Sequence, residues 1–141
     1  IDYAHTPDAL QKILKNISNQ KKKKLFSIIG CGGDRDKGKR KLMTIEAIKY
    51  RDVVILADDN PRNENPDLIR KDMIKGLTRK QLDKIINIGD RKKAIKYGLN
   101  TIKKGDILVI TGKGHEKYQI NNNKKFFFSD HLEVKKNMKI L

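Results

Sequence analysis

The sequence predicts an α/β domain with a largely parallel sheet. Apolar runs of strand length alternate with stretches of helical spacing along the chain, and each unusual polar cluster directly follows one of the apolar runs. Length agrees: 141 residues suit one compact domain with a single sizeable core.

The elements follow in order. Thr6 is placed to cap a helix with Pro7 at its first position, and Leu10, Ile13, Leu14 and Ile17 then recur at helical spacing. Lys21 to Lys24 form a solvated turn. Leu25-Phe26-Ser27-Ile28-Ile29 is a buried strand that ends in Gly30-Cys31-Gly32-Gly33, and a helix through Leu42, Ile45, Ile48 and Lys49 comes next. The second strand, Val53 to Ala57, runs into the polar loop Asp58 to Glu64. Asn65-Pro66 repeats the cap-then-proline start for a helix expected to bury Leu68, Ile69 and Met73. Lys84 to Ile88 is a third strand, and Gly89-Asp90-Arg91 turns the chain into a helix carrying Ala94, Ile95, Leu99 and Ile102. A fourth strand, Asp106 to Thr111, leads to Gly112-Lys113-Gly114-His115-Glu116. Tyr118 to Ile120 and Lys125 to Phe128 form a C-terminal β-hairpin around three asparagines, and Ser129 opens a last short helix.

Composition narrows the function classes. Apolar residues make up 37% of the chain, no run of ~18 of them could span a bilayer, and the start Ile1-Asp2-Tyr3 lacks the basic and apolar regions of a signal peptide. The lone Cys31 forms no internal disulfide, so a reducing, cytoplasmic compartment is expected. Lys and Arg outnumber Asp and Glu by 33 to 17, a net charge of +16 that by itself admits nucleic acid as a partner. Against that reading, the lysines are scattered over the whole chain and the aromatics are not interleaved with them as base-stacking platforms. A solvated lysine surface accounts for the excess, and nucleic acid is not expected as a partner.

In an open parallel sheet the carboxyl ends of the strands share one edge, where ligands bind. The four strand-following loops are therefore expected to converge there. The stretch from Gly30 to Lys39 joins close backbone approach to positive charge, which suits a phosphate or carboxylate and equally suits a tight strand-to-helix turn. It is not a Walker A loop, because GxxxxGK[ST] occurs nowhere in the chain. Asp59-Asn60-Pro61-Arg62 holds an amide and a guanidinium on a stiff turn, and the arginine fork grips carboxylates in bidentate fashion. The same four residues also make a plain structural turn. Gly112 to Glu116 offers a carboxylate for a ligand ammonium, whereas His115 reads more simply as a hydrogen-bonded histidine. Three scattered histidines and one cysteine give no metal cluster, so no metal ligand is assigned. Arg35, Asn60, Arg62 and Glu116 together present both charge signs, as a zwitterionic amino acid needs.

Asp2-Tyr3-Ala4-His5-Thr6-Pro7, the glycine loop, Asp59 to Arg62 and Gly112 to Glu116 resemble, in order and over nearly the whole chain, the C-terminal domain of the Mur ligases. Asp59 to Arg62 is the most specific element, being similar to the signature of the members that add meso-2,6-diaminopimelate; lysine-adding relatives usually replace the arginine. The resemblance implies a Rossmann-like fold, a mostly parallel sheet flanked by helices with a C-terminal β-hairpin, spanning residues 1–141. It implies ATP-dependent amide formation with Mg2+, in which the γ-carboxylate of UDP-N-acetylmuramoyl-L-alanyl-D-glutamate becomes an acyl phosphate that the amine of diaminopimelate attacks during peptidoglycan synthesis. Arg35, Asp59, Asn60, Pro61, Arg62, Gly112 and Glu116 would hold diaminopimelate, and Asp2, His5 and Lys37 would face ATP. Neither the family's UDP-sugar domain nor its central ATP-binding domain is present in the sequence, so the chain is expected to be a fragment, inactive by itself. The competing classes are a stand-alone amino-acid or anion-binding module and a basic nucleic-acid-binding domain.

Overall fold

A computed structural model describes residues 1–20 and 23–138, so Lys21 and Lys22 of the expected lysine turn lie outside the described residues. Four parallel strands, β1 (Leu25–Ile29), β2 (Val53–Ala57), β3 (Ile85–Gly89) and β4 (Ile107–Ile110), form one sheet in the order β3-β2-β1-β4. The two central strands, β1 and β2, are buried almost throughout, as their unbroken apolar runs require. Along β1 the side chains alternate between two layers. Leu25 and Ile29 pack with Leu10 and Leu14 of α1 (Pro7–Ser18), Met43 and Ala47 of α2 (Gly38–Lys49) and Met73 of α3 (Pro66–Ile74). Ile28 points to the other face, where Ala94, Ile95 and Leu99 of α5 (Arg91–Thr101) and Phe128 close the second core. Residues of α6 (Asp130–Met138) reach that layer through Val134.

The caps form as the sequence dictates. Thr6 accepts the amide of Ala9, Asn65 accepts that of Asp67, and prolines occupy the first turns of α1 and α3. Two helix faces are rotated from expectation. Leu42 and Leu68 are 51% and 57% exposed, because Met43 with Ala47 and Ile69 with Met73, each four residues apart, take the inward stripe and leave their neighbours about 100° round the helix. A short helix, α4 (Arg79–Leu82), was not foreseen. Its capping box pairs Thr78 with Gln81, a signal that the T-x-x-Q spacing carries.

The hairpin β5 (Tyr118–Asn121) and β6 (Lys124–Phe127) turns through Asn122 and Asn123, both at positive φ (50° and 58°) as a two-residue hairpin loop of type I′ requires. It lies against the loop after β2. Arg62 and Asn121 form an isolated parallel bridge, and Gln119 donates to the carbonyls of Asp58 and Asp59. At the opposite side the N-terminal segment extends β4, with Asp2 N donating to Ile110 O and Gly112 N donating to Asp2 O. Among the described residues no helix is long and apolar enough to cross a membrane.

Candidate functional site

At the carboxyl edge of the sheet lies a cleft of about 480 Å³. His5, Arg35, Asp59, Asn60, Arg62, Gly112 and Glu116 all line it, joined by Tyr3, Cys31, Asp36 and Lys39. Of the other residues assigned from sequence, Pro61 is buried behind the wall, and Asp2 and Lys37 are exposed and do not line the cleft. Three of the four strand-following loops meet here. The fourth, Gly89 to Arg91, lines a separate cleft of about 510 Å³ with Asp58, Arg70 and Gln119. The expected four-loop convergence is corrected for a topological reason: β3 is the edge strand on the far side of β2, and Gln119 crosses the end of β2 between the two openings.

The glycine loop is pinned to the turn after β2. Gly33 N donates to Asn60 O at 2.8 Å, and a Cβ on Gly33 would sit 1.8 Å from Pro61 O, so only glycine permits this approach. Buried Arg40 braces the loop from beneath, donating to Gly32 O (3.3 Å), Glu64 (2.8 Å) and Asp72 (2.9 Å). Glu64 also accepts the Asp34 amide at 2.7 Å. The Arg40 hydrogen bond, and after it the Asp34 amide, holds the Glu64 carboxyl below its ordinary pKa.

Arg62 has φ 53°, a left-handed conformation uncommon for a residue with a Cβ. Its backbone is fixed on both sides by the hairpin, through Arg62 N to Ile120 O and Asn122 N to Arg62 O. One guanidinium nitrogen donates to Gly33 O at 2.9 Å, which aims the half-buried fork across the glycine loop. Asn60 is committed differently from the sequence reading. Its carboxamide oxygen accepts from Lys113 Nζ (3.0 Å) and Ile120 N (2.9 Å), so only its NH2 group is left to meet a ligand.

Lys113 is the charged residue of this region that sequence reasoning passed over. It is fully buried beneath the cleft, 3.0 Å from Asp59 Oδ1 and 3.9 Å from Glu116 Oε2. Its position between two glycines in a strand-following loop is a turn signal, and nothing in that pattern separates a buried lysine from a solvated one. Gly112, at φ 110°, puts the backbone within reach of Asp59. Across the opening, Tyr3 stacks obliquely on His115 and edge-on to His5, and the negative charge of Glu116 pushes the Tyr3 hydroxyl above its usual pKa. Burial, reinforced by Asp59, pushes the Cys31 thiol up to about 12.

The cleft therefore offers arginine donors at one side and a carboxylate at the other. GxxxxGK[ST] is absent from the sequence, and among the described residues no three His, Cys, Asp or Glu side chains are grouped to hold a metal ion.

Comparison with known proteins agrees with this geometry. The family profile described as "Mur ligase, glutamate ligase domain" matches residues 1–114. The UDP-N-acetylmuramoyl-L-alanyl-D-glutamate--2,6-diaminopimelate ligase of Rickettsia montanensis is 50% identical over 99% of this chain, and that of Aquifex aeolicus is 48% identical over 96%. The chain spans only 29% and 28% of the length of those two relatives. A solved structure of a ligase of that name superposes with a TM-score of 0.93 at 44% identity, covering 98% of this chain and 28% of that one. Folylpolyglutamate synthase from Thermotoga maritima, at TM-score 0.54 and 18% identity, shares the fold alone. A profile match over most of the chain, relatives half-identical along nearly all of it and the motif-bearing loops gathered at one sheet edge lead to one conclusion: this chain belongs to the Mur ligase family, as its C-terminal, glutamate ligase domain.

Proposed function

We propose that this domain binds meso-2,6-diaminopimelate and presents its amine to the activated γ-carboxyl of UDP-N-acetylmuramoyl-L-alanyl-D-glutamate, within an ATP-dependent cytoplasmic ligase of peptidoglycan synthesis. The observation that carries the reading is the setting of Arg62. Its fork is held by Gly33 O and a hairpin-clamped backbone, in the same cleft as Glu116. Arg62 and Arg35 then take the carboxylates, while Glu116 and the Gly112 carbonyl accept from the ammonium of the distal stereocentre. Asp59, Asn60 and Pro61 fix the turn on which Arg62 stands. Holding the amine in line with the acyl carbon is a positioning effect, and no acid, base or nucleophile of this chain is required.

Phosphoryl transfer, with its ATP and Mg2+, lies outside what the residues of this cleft perform in the proposal. Asp2, His5 and Lys37, all three exposed, are assigned to contact with the nucleotide. His5 Nδ1 lies 3.0 Å from Tyr3 O, which leaves Nε2 for an outside partner.

Specificity tests the reading in a complete ligase containing this domain. A lysine substrate lacks the distal carboxylate and leaves the Arg62 fork unpaired, a cost of about 2–5 kcal/mol in comparable truncations. Arg62→Ala should therefore cut the preference for diaminopimelate over lysine, measured as the ratio of kcat/KM values, by about thirtyfold or more. An unchanged ratio would remove the role given to Arg62.

A further inference from the structure

Lys113 has no assigned part in the chemistry, yet its side chain is fully buried, with those of Arg40 and Arg91 nearly so. An ammonium with no exposure is retained where hydrogen bonds and an opposite charge offset its lost hydration. Here Nζ donates to Asn60 Oδ1 and to Tyr118 O, each at 3.0 Å, and its charge is opposed by Asp59 Oδ1 at 3.0 Å, groups that belong to the turn after β2 and to the hairpin. Glu116 Oε2 stands at 3.9 Å, beyond hydrogen-bond reach but within its field.

The charges of the cleft explain why this matters. Arg35, Lys39 and Arg62 face Asp36, Asp59 and Glu116, so the lining side chains sum to zero. Lys113, immediately behind them, brings the site to one positive charge. Diaminopimelate with its attacking amine deprotonated carries two carboxylates and one ammonium, a net charge of minus one. The site and that form of the ligand balance only when Lys113 is counted. The other groups facing Asp59 and Glu116 are Tyr3, Cys31 and buried Arg91, whose own charge is already matched by two hydrogen bonds to Asp130.

We propose that Lys113 is a positioning residue for the distal ammonium: by taking up Asp59 and locking Asn60, it leaves Glu116 as the carboxylate of that wall free to accept the ligand. The inference rests on the substrate reading given above and deepens it. Lys113 touches no substrate and acts through Asp59, Asn60 and Glu116.

The test compares diaminopimelate with 2-aminopimelate, which keeps both carboxylates and the attacking amine but lacks the distal amine, in a complete ligase containing this domain. The unaltered enzyme should favour diaminopimelate by about tenfold or more in kcat/KM, because Glu116 is unmatched without the ammonium. Lys113→Gln keeps polar contacts to the turn and removes the charge. It should raise KM for diaminopimelate about tenfold or more, leave KM for ATP within about twofold, and collapse the discrimination between the two substrates. Asp59→Asn approaches from the opposite side and carries the test if Lys113→Gln does not fold: the released ammonium is taken up by Glu116, and discrimination again falls. Full discrimination in Asp59→Asn, or in folded Lys113→Gln, overturns the proposal, as does an unaltered enzyme indifferent to the distal amine. An unaltered enzyme that prefers lysine to diaminopimelate would instead overturn the substrate reading itself.

Discussion

Single residues at the cleft are tuned by what their neighbours leave them. Cys31 lines the opening, yet burial and the nearby Asp59 carboxylate push its thiol to about 12, so at pH 8 almost none of it is thiolate. Alkylation by iodoacetamide at that pH is expected to run at least about tenfold slower than in the denatured chain, as read by mass spectrometry. Glu64 shows the opposite shift. Its folded-state pKa lies below the ordinary 4.5, through the Arg40 hydrogen bond and then the Asp34 amide, so its stabilisation is present above that value and is lost as pH falls through the lower one. Glu64→Gln should lower stability at neutral pH and flatten its decline below about pH 5, in urea unfolding followed across a pH series. Arg62 illustrates what the sequence exposes and what it hides. Its residue type and proline-stiffened setting suit the proposed carboxylate recognition, but the left-handed backbone, clamped by Ile120 and Asn122, and the Gly33 carbonyl that aim it come from segments distant in the sequence.

Elements carry these residues to the edge of the sheet. The hairpin turn holds two asparagines in the left-handed region where glycine is less strained, so Asn123→Gly should stabilise the fold by about 0.5–1 kcal/mol in thermal unfolding. The turn is distant from the chemistry, but the strand before it clamps both Asn60 and Arg62. Thr6 caps α1 directly after the Tyr3-His5 segment, and Thr6→Ala should cost about 1 kcal/mol by the same measurement. Strands, caps and the hairpin were legible because periodicity, proline and asparagine act locally. The inward phases of α2 and α3 were not, since Leu42 and Met43, or Leu68 and Ile69, are equally apolar and only packing against β1 and β2 decides which of each pair turns inward.

At the scale of the molecule, one buried ion pair ties the second helical layer together. Arg91, at the start of α5, donates twice to Asp130, at the start of α6, at 2.8 and 2.7 Å, and once to Thr111 O at 3.0 Å. Neither side chain of the pair is exposed. Arg91→Met leaves Asp130 buried without its cation and should cost about 3–5 kcal/mol, whereas Arg91→Met with Asp130→Leu should recover most of that loss in chemical denaturation. The Thr111 carbonyl lies at the root of the Gly112 loop, so this pair also fixes the base on which Lys113 and Glu116 stand.

What the sequence determined by itself was the succession of strands and helices along the chain apart from α4, the caps that open α1 and α3, the hairpin and the family to which the four motifs belong. Each depends on residues near one another in the chain, where propensity, capping and turn chemistry act. Only the tertiary structure decided that three loops rather than four share the cleft, that the Asn60 oxygen is spent on its own fold, and that Lys113 is buried beneath the site. Those outcomes follow from strand order and from contacts between segments more than 50 residues apart. Burial of a charged side chain is set by the groups that surround it, and a lysine in a glycine-rich loop carries no mark of them.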